Sequence, residues 1–469
     1  MKIAVLSSAS AGGAGIAAYR IYEALKKANH EVDFIDINTL NGAVSLEVSP
    51  QVSATNKKIT NTHFTVDYAS DVREWLINLL SEYDVINVQW ASYLVSLSEI
   101  LALAKLNKKI VFTMHDFYYI TGGCHYPAGC YGFAVDCAGC PQVSEKVLSQ
   151  KGVINAFQIK KEIFSFPNVV LTAPSNFIVS NAVKAGMVPQ QRSRVIRNVY
   201  VPTSDFDYSL KSKEKSILLI ADSFDEKRKG LALSVDSLKR ASECFDFKNE
   251  SVTLHLVGGL DTEVVKRLEG TGINVVTHGH IKEHRKLVEI FQQCHFILSC
   301  SYEDNWPNIL VESGSYGCIP IVGKWHGCEE FALEFAYGFV SLDYTVAAFC
   351  KAILDALTYD ILETELQSFV KAVRDSSSVE KVVQGYLESF NFVATDLFNG
   401  IEKSNKIKFI SNEEKVKYPP SPFGPRLIMG QEISKKDLLL KGSNDVHSYG
   451  IVDTRWRSDA DFFEIRSKT

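Results

Sequence analysis

The sequence predicts two doubly wound α/β domains in series, followed by an irregular C-terminal extension. Three observations lead there. Short apolar runs alternate with amphipathic stretches through residues 1–198 and again through 215–378. Between the two series, residues 199–214 carry turn formers and no sustained period, so they read as a linker. After about residue 400 neither period persists, and Pro419, Pro420 and Pro422 break regular structure. With 469 residues, 46% of them hydrophobic, the chain can fill more than one core.

The elements follow in order. Strands are expected at Lys2–Leu6, Val32–Ile37, Val85–Val88, Lys109–Met114, Asn168–Thr172 and Ser193–Ile196. Short apolar strands that alternate with helices of this length indicate a parallel sheet covered on both faces. Helices are expected between them at Gly15–Lys27, Tyr68–Glu82, Leu97–Leu106, Val153–Phe164 and Ser175–Ala185. The second series has strands at Ser216–Ala221, Val252–Val257, Asn274–Thr277, His295–Ser299, Ile319–Val322 and Phe339–Ser341. Its helices lie near 230–241, 261–269, 284–293, 308–317, 329–335 and 345–357, with further helical segments at 361–374 and 378–397. The last of these, within 379–399, can cross back to the first domain. Residues 400–469 form an extension without an assigned role. A folded α+β extension is the alternative, because Leu438–Leu440 and Phe462–Ile465 have apolar surface to bury.

Composition excludes several functions. Fifty Lys and Arg against 55 Asp and Glu give a formal charge of −5, which argues against a nucleic-acid partner. No run of about 18 apolar residues exists to span a membrane, and residues 1–20 lack a signal-peptide core. A cytoplasmic location is the expectation, with peripheral contact at the inner membrane face as an addition. Lys105, Leu106, Lys108 and Lys109 end an apolar helix and can touch anionic lipid; a solvated helix end is the plainer reading.

Five motifs carry chemistry. Ser7–Gly15, with Gly12 and Gly13, follows a strand and opens a helix, so backbone N–H groups can approach a phosphate or sugar; a tight turn without ligand fits equally. His115 stands where a strand ends, the side on which open α/β sheets bind ligands, and can donate to a sugar hydroxyl or phosphate. Cys124, Cys130, Cys137 and Cys140 lie in one Gly- and Pro-containing loop within residues 115–142. Four thiolates can close a structural zinc site, with His125 as an alternative ligand; free thiols or a labile disulfide are the other readings. Arg228 and Lys229, after the first strand of the second domain, can neutralise a diphosphate, or merely form a solvated basic turn. Asp304 and Glu312 flank a helix start marked by Pro307, so both carboxylates can face one cleft.

The segment Asp304-Asn305-x-Pro307-Asn308-x-x-x-Glu312, followed by Gly317-x-x-Pro320-Ile321-Val322, resembles the acidic E-x7-E motif of retaining glycosyltransferases of family 4, with Asp replacing the first Glu. The run from His115-Asp116 through Cys137-x-x-Cys140-Pro141-Gln142 is similar to one in colanic-acid and capsule-type glycosyltransferases, as is the strand Asp84–Trp90 before it. The resemblance covers about residues 1–395 and implies the GT-B fold, two Rossmann-like domains facing a cleft.

It further implies a nucleotide-sugar donor bound mainly by the second domain and an acceptor bound by the first. Asp304 would hold hydroxyls of the donor sugar and Glu312 the ribose. Arg228 and Lys229 would meet the diphosphate. Gly12 and Gly13 would line the cleft, His115 would contact the sugar, and Ile281 would lie near the base. Asn305, Asn308 and Ile309 would bring the helix start to sugar and phosphate. The implied reaction transfers a hexose-type sugar, with retention and without a catalytic metal, to a saccharide acceptor. That acceptor would be lipid-linked, in bacterial surface polysaccharide synthesis. A sugar-nucleotide epimerase of the same shape and a non-catalytic binding member of the fold are the competing readings.

Overall fold

The computed structural model describes residues 1–38, 51–53, 64–67, 71–143, 150–220, 226–245, 250–259, 261–392, 426–429 and 451–454. Two parallel six-stranded sheets dominate it, as the sequence predicts. In the first domain the strands are β1 (Lys2–Leu6), β2 (Glu31–Ile35), β5 (Val85–Val88), β6 (Lys109–Thr113), β7 (Val169–Ala173) and β8 (Ser193–Val195). Their order is β2-β1-β5-β6-β7-β8. A short antiparallel pair, β3 (Gln51–Ser53) and β4 (Thr65–Asp67), lies outside that sheet. The helices are α1 (Gly12–Lys27), α2 (Glu74–Ser81), α3 (Leu97–Lys105), α4 (Gln150–Ser165) and α5 (Asn176–Lys184).

The second sheet runs β11-β10-β9-β12-β13-β14. Its strands are β9 (Lys215–Ile220), β10 (Val252–Val257), β11 (Asn274–Thr277), β12 (Phe296–Ser299), β13 (Ile319–Gly323) and β14 (Phe339–Ser341). Around it pack α6 (Leu231–Ala241), α7 (Asp261–Arg267), α8 (His284–Gln293), α9 (Asn308–Gly314), α10 (Gly327–Glu334), α11 (Val346–Thr358) and α12 (Glu363–Ser376). The last helix of this run is α13 (Val379–Asn391). Strands β15 (Arg426–Met429) and β16 (Ile451–Thr454) pair antiparallel.

Both sheets reverse their winding at one point. In the first, the chain steps outward from β1 to β2 and then returns to β5 on the other side. In the second, the reversal falls between β9 and β12. Loops leaving two such strands diverge to opposite faces and open a crevice at the carboxyl ends. The glycine segment follows β1, the basic turn follows β9 and the acidic segment follows β12, so sheet order alone brings the last two together.

Helix α13 belongs by packing to the first domain. Val382, Val383, Tyr386 and Phe390 are buried with Ile3, Val5, Ile21, Val85 and Val170 in one core. The chain therefore crosses between the domains twice, and the Tyr200 N–H donates to the Ser377 carbonyl at 3.0 Å where the two crossings meet. Beyond the first crossing, Lys211 is buried against the second domain and donates to the carbonyls of Phe291, Cys294 and Tyr316 at 3.1, 2.5 and 2.8 Å.

Several element limits differ from the sequence reading. Helix α1 starts at Gly12 rather than Gly15, with Gly12 at φ +74°. Helix α2 starts at Glu74, because Arg73 is extended and its guanidinium and N–H bind Glu99. Helix α9 stops at Gly314; Gly317 at φ +77° then turns the chain into β13. Residues 68–70, Ala221, 393–397, Leu438–Leu440 and Phe462–Ile465 lie outside the described residues.

Candidate active site

The acidic and basic segments meet at the second switch point. Asp304 is buried and accepts from Lys229 Nζ at 2.6 Å and Arg228 Nη1 at 3.3 Å. Its other oxygen accepts from the Asn305 N–H at 2.9 Å. Burial alone would push the Asp304 carboxyl upward; Lys229 and then Arg228 outweigh it and hold it at about 2. Lys229 keeps 41% of its side chain exposed, so it can add a ligand phosphate oxygen to the carboxylate it already holds.

The basic turn is fixed by shape. Gly230 has φ +66°, and a Cβ there would lie 2.0 Å from the Cys300 carbonyl oxygen. Arg228 is buried, donates to the Glu303 carbonyl at 2.8 Å and to Glu226 at 2.5 Å, and lies 3.9 Å over the Tyr126 ring. Tyr126 comes from the first domain's cysteine loop. Glu303 accepts from the Ala128 N–H of that same loop at 2.8 Å. The loop thus reaches across the cleft to the cation turn.

Other contacts close the cleft from both sides. Asn305 Nδ2 donates to the His115 carbonyl at 2.7 Å, and Asn308 Nδ2 to the Gly13 carbonyl at 3.0 Å. Glu312 pairs with Arg20 of α1 at 2.7 Å. A Cβ on Gly12 or Gly13 would meet nothing within 4 Å, so open space lies over both. Ile281 and Ile309 are partly buried against the second core. The sequence-selected residues therefore fall in three contact groups along one cleft: Arg228, Lys229, Asp304, Asn305 and His115; Asn308 with Gly13; and Glu312 with Arg20.

Sequence reasoning missed two participants, Arg20 and Glu330, and within the Ser7–Gly15 segment it did not single out Gly15. Arg20 had no motif, since its partner Glu312 is brought near only by the tertiary fold. Gly15 faces the Ala9 carbonyl oxygen at 2.6 Å from a built Cβ, so it needs glycine more than Gly12 or Gly13 does for space. Glu330 accepts from the N–H groups of Asn176 and Phe177 at 2.7 and 2.9 Å, where α5 begins, and pairs with Arg197 at 2.9 Å. A carboxylate at a helix N-terminus complements its unpaired donors. Arg197 also pairs with Glu334 and stacks 3.9 Å over Trp306.

In the cysteine loop none of the four cysteines forms a disulfide among the described residues. Each sulfur accepts an N–H: Cys124 from Gln142 Nε2 at 3.2 Å, Cys130 from Gly132 at 3.4 Å, and Cys137 from Gly122 at 3.1 Å. Cys140 accepts from the backbone of Gln142 and Val143 and shares a hydrogen bond with Cys124. Among the described residues no three His, Cys, Asp or Glu side chains are gathered so as to hold a metal ion. His125, the alternative ligand, has both ring nitrogens engaged, with Asp116 at 2.7 Å and Thr65 at 3.0 Å. The lysines near Leu106 are also engaged: Lys105 with Glu162, Lys108 with the Ser81 carbonyl, Lys109 with the Phe392 carbonyl. No helix among the described residues is long and apolar enough to cross a membrane.

Two Rossmann-like domains facing a cleft, with a last helix returning to the first, define the GT-B class. Comparison with known proteins agrees. Residues 11–200 match the family Glycosyltransferase Family 4, and residues 203–373 match Glycosyl transferases group 1. A glycosyltransferase from Rickettsia africae ESF-5 shares the fold with TM-score 0.54 and 13% identity, over 83% of this chain and 97% of its own. WaaG, a glycosyltransferase involved in lipopolysaccharide biosynthesis, does so with TM-score 0.51 and 13% identity, over 83% and 99%. By sequence, the chain is 20% identical over 308 residues to the putative colanic acid biosynthesis glycosyl transferase WcaC of Escherichia coli K12, over 60% of this chain and 68% of WcaC. The chain is a GT-B glycosyltransferase of the family 4, group 1 type.

Proposed function

We propose that the chain transfers a hexose-type sugar from a nucleotide diphosphate sugar to a saccharide acceptor, with retention, in polysaccharide synthesis. The observation that carries this reading is the pairing of Asp304 with Arg228 and Lys229 at the switch point, opposite the glycine segment. Lys229 and Arg228 supply positive charge where a diphosphate leaving group develops negative charge, and Asp304 accepts from donor-sugar hydroxyls. Glu312 takes the ribose. The bond from the anomeric carbon to the phosphate oxygen breaks, the acceptor oxygen bonds to that carbon on the same face, and its proton passes to the departing phosphate. These residues need no nucleophile of their own, unlike the carboxylate pair of a retaining glycosidase. The name of WcaC, a putative colanic acid biosynthesis glycosyl transferase, supports a saccharide acceptor in polysaccharide synthesis, and we take that acceptor to be lipid-linked.

Transfer measured with panels of UDP- and GDP-sugars tests the reading. Asp304→Ala and Glu312→Ala are each expected to lower it about 100-fold, roughly 3 kcal/mol in the transition state. Wild-type rates in either variant overturn the assignment. An interconverted nucleotide sugar without transfer favours the epimerase.

The cysteine loop, on this reading, takes a structural zinc ion when its thiols deprotonate. Support comes from the donor set: an N–H aimed at every sulfur, and the buried Lys160 beside the loop, which donates to the Tyr118 and Thr121 carbonyls at 2.6 and 3.0 Å. A closed four-thiolate site carries net negative charge that such a cation offsets. Metal analysis of purified protein decides it; less than about half an equivalent of zinc counts against the site.

A further inference from the structure

We propose that His115 is held as its Nε2–H tautomer by a buried relay through Gln89 to Tyr386 of the returning helix, so that the ring presents a bare Nδ1 acceptor and selects a ligand hydroxyl. The ligand half of this proposal rests on the glycosyltransferase reading; the tautomer half does not.

The argument begins at two carbonyls, which can only accept. The Val111 carbonyl receives Asn87 Nδ2 at 2.8 Å, so the amide nitrogen of Asn87 faces that way and its Oδ1 faces the other. Asn87 Oδ1 therefore accepts, and its partner at 2.6 Å is Gln89 Nε2. The Phe112 carbonyl receives the Thr172 hydroxyl at 2.9 Å. With its proton committed, Thr172 accepts from Thr113 at 3.0 Å. Thr113 in turn accepts from Tyr386 at 3.0 Å. The Tyr386 oxygen is left to accept from the Gln89 amide beside it.

Both hydrogens of Gln89 Nε2 are thus assigned, one to Asn87 and one to Tyr386. Only Oε1 remains, and Oε1 lies 2.6 Å from His115 Nε2. An amide oxygen cannot donate, so the imidazole nitrogen facing it carries the proton. Asn87, Gln89, Thr113, Thr172 and Tyr386 are each at most 1% exposed, so no solvent can substitute for any member. Burial also lowers the His115 pKa to about 4, against the pull of Asp116, so the ring is neutral at pH 7. Nδ1 then has a lone pair, and no hydrogen-bond partner is found for it among the described residues.

A bare lone pair repels phosphate and carboxylate oxygens and accepts from O–H. This reverses the sequence-based expectation that His115 donates. Gln89 and Tyr386 become positioning residues: neither touches the ligand, and each acts through the ring. Tyr386 reaches the relay only because α13 returns to the first domain.

Nuclear magnetic resonance of full-length protein carrying ring-15N histidine tests the proposal, with His115→Gln for assignment. Without ligand at pH 7.5, Nε2 is expected as a protonated, pyrrole-type nitrogen and Nδ1 as an unprotonated, pyridine-type one. Gln89→Leu is expected to release the preference toward a tautomer mixture. Tyr386→Phe, which removes one oxygen only, is expected to do so more weakly if Gln89→Leu fails to fold. The opposite tautomer in the wild type, or unchanged nitrogen signals in the variants, overturns the relay. UDP-glucose or GDP-mannose, whichever calorimetry shows to bind, is expected to shift Nδ1 without protonating it, whereas inorganic pyrophosphate leaves it unmoved. A bound nucleotide sugar that protonates Nδ1 or leaves it unmoved overturns the hydroxyl assignment. If no nucleotide sugar binds, the transferase reading fails while the ligand-free tautomer result stands alone.

Discussion

Asp304 and Glu312 meet different partners although both belong to one motif. Asp304 is held by cations of its own domain, Glu312 by Arg20 from the other. Because the Asp304 carboxyl lies at about 2, below its ordinary 3.8, its ion pairing stabilises the fold fully above about pH 4 and is lost only as pH falls through 2. An acid limb of activity above pH 4 therefore arises elsewhere. Arg20→Ala is expected to lower kcat/KM about tenfold, close to 1.4 kcal/mol, with little change in melting temperature. Steady-state kinetics beside a thermal melt checks it; unchanged kinetics would show that the pair does not align the domains. The sequence offered Asp304, Glu312, Arg228 and Lys229 as candidates because each lies beside its neighbours in a short segment. It concealed Arg20, whose partner is 292 positions away.

At the scale of elements, two features fix the cleft. The start of α10 lies against the acidic loop: a Cβ on Gly327 would be 1.5 Å from the Asn305 carbonyl oxygen. Gly327→Ala must displace that loop and is expected to cost roughly 1–3 kcal/mol of stability. Transfer should fall by more than tenfold, because Asn305 then loses its reach to His115. Chemical denaturation and activity on one preparation check both effects. Helix α13 is the second feature. Phe390 is 4% exposed in the first core, and Phe390→Ala is expected to cost about 3–5 kcal/mol. A urea melt that shows less than about 1 kcal/mol would place the helix elsewhere. The strands were legible because two-sided burial leaves continuous apolar runs, as in Val169–Ala173. Helix starts were not, since Gly12–Ala14 and Asp71–Arg73 carry no period, and local contacts such as Arg73 with Glu99 decide them.

For the whole molecule, buried histidines set the acid limit. Burial holds His115, His255 and His326 at about 4 and His295 at about 3, against an ordinary 6.5. Unfolding releases them to take up protons below pH 6.5. Stability is therefore greatest above 6.5 and falls as pH drops toward 4, through proton uptake by the unfolded chain. Urea midpoints measured from pH 8 to 4 should decline most steeply below 6.5; a flat profile to pH 5 would contradict the burial. Three of the four histidines belong to the second domain, so its transition should move more. The two-domain plan was legible from repeated alternation, whereas its mutual orientation was not, because Arg197, Glu330 and Glu334 show no pattern until folded.

The paired crossings at Tyr200 and Ser377 bear on how a donor gets in. A single tether would let one half swivel, twist or drift. Two chain segments held side by side would act like the spine of a book, favouring opening about one line over other displacements. Any parting of the covers must break the bonds of Asn305 and Asn308 to the His115 and Gly13 carbonyls, and a fixed line of opening would bring the same partners back together. Accuracy of reassembly is thus written into the path of the chain itself.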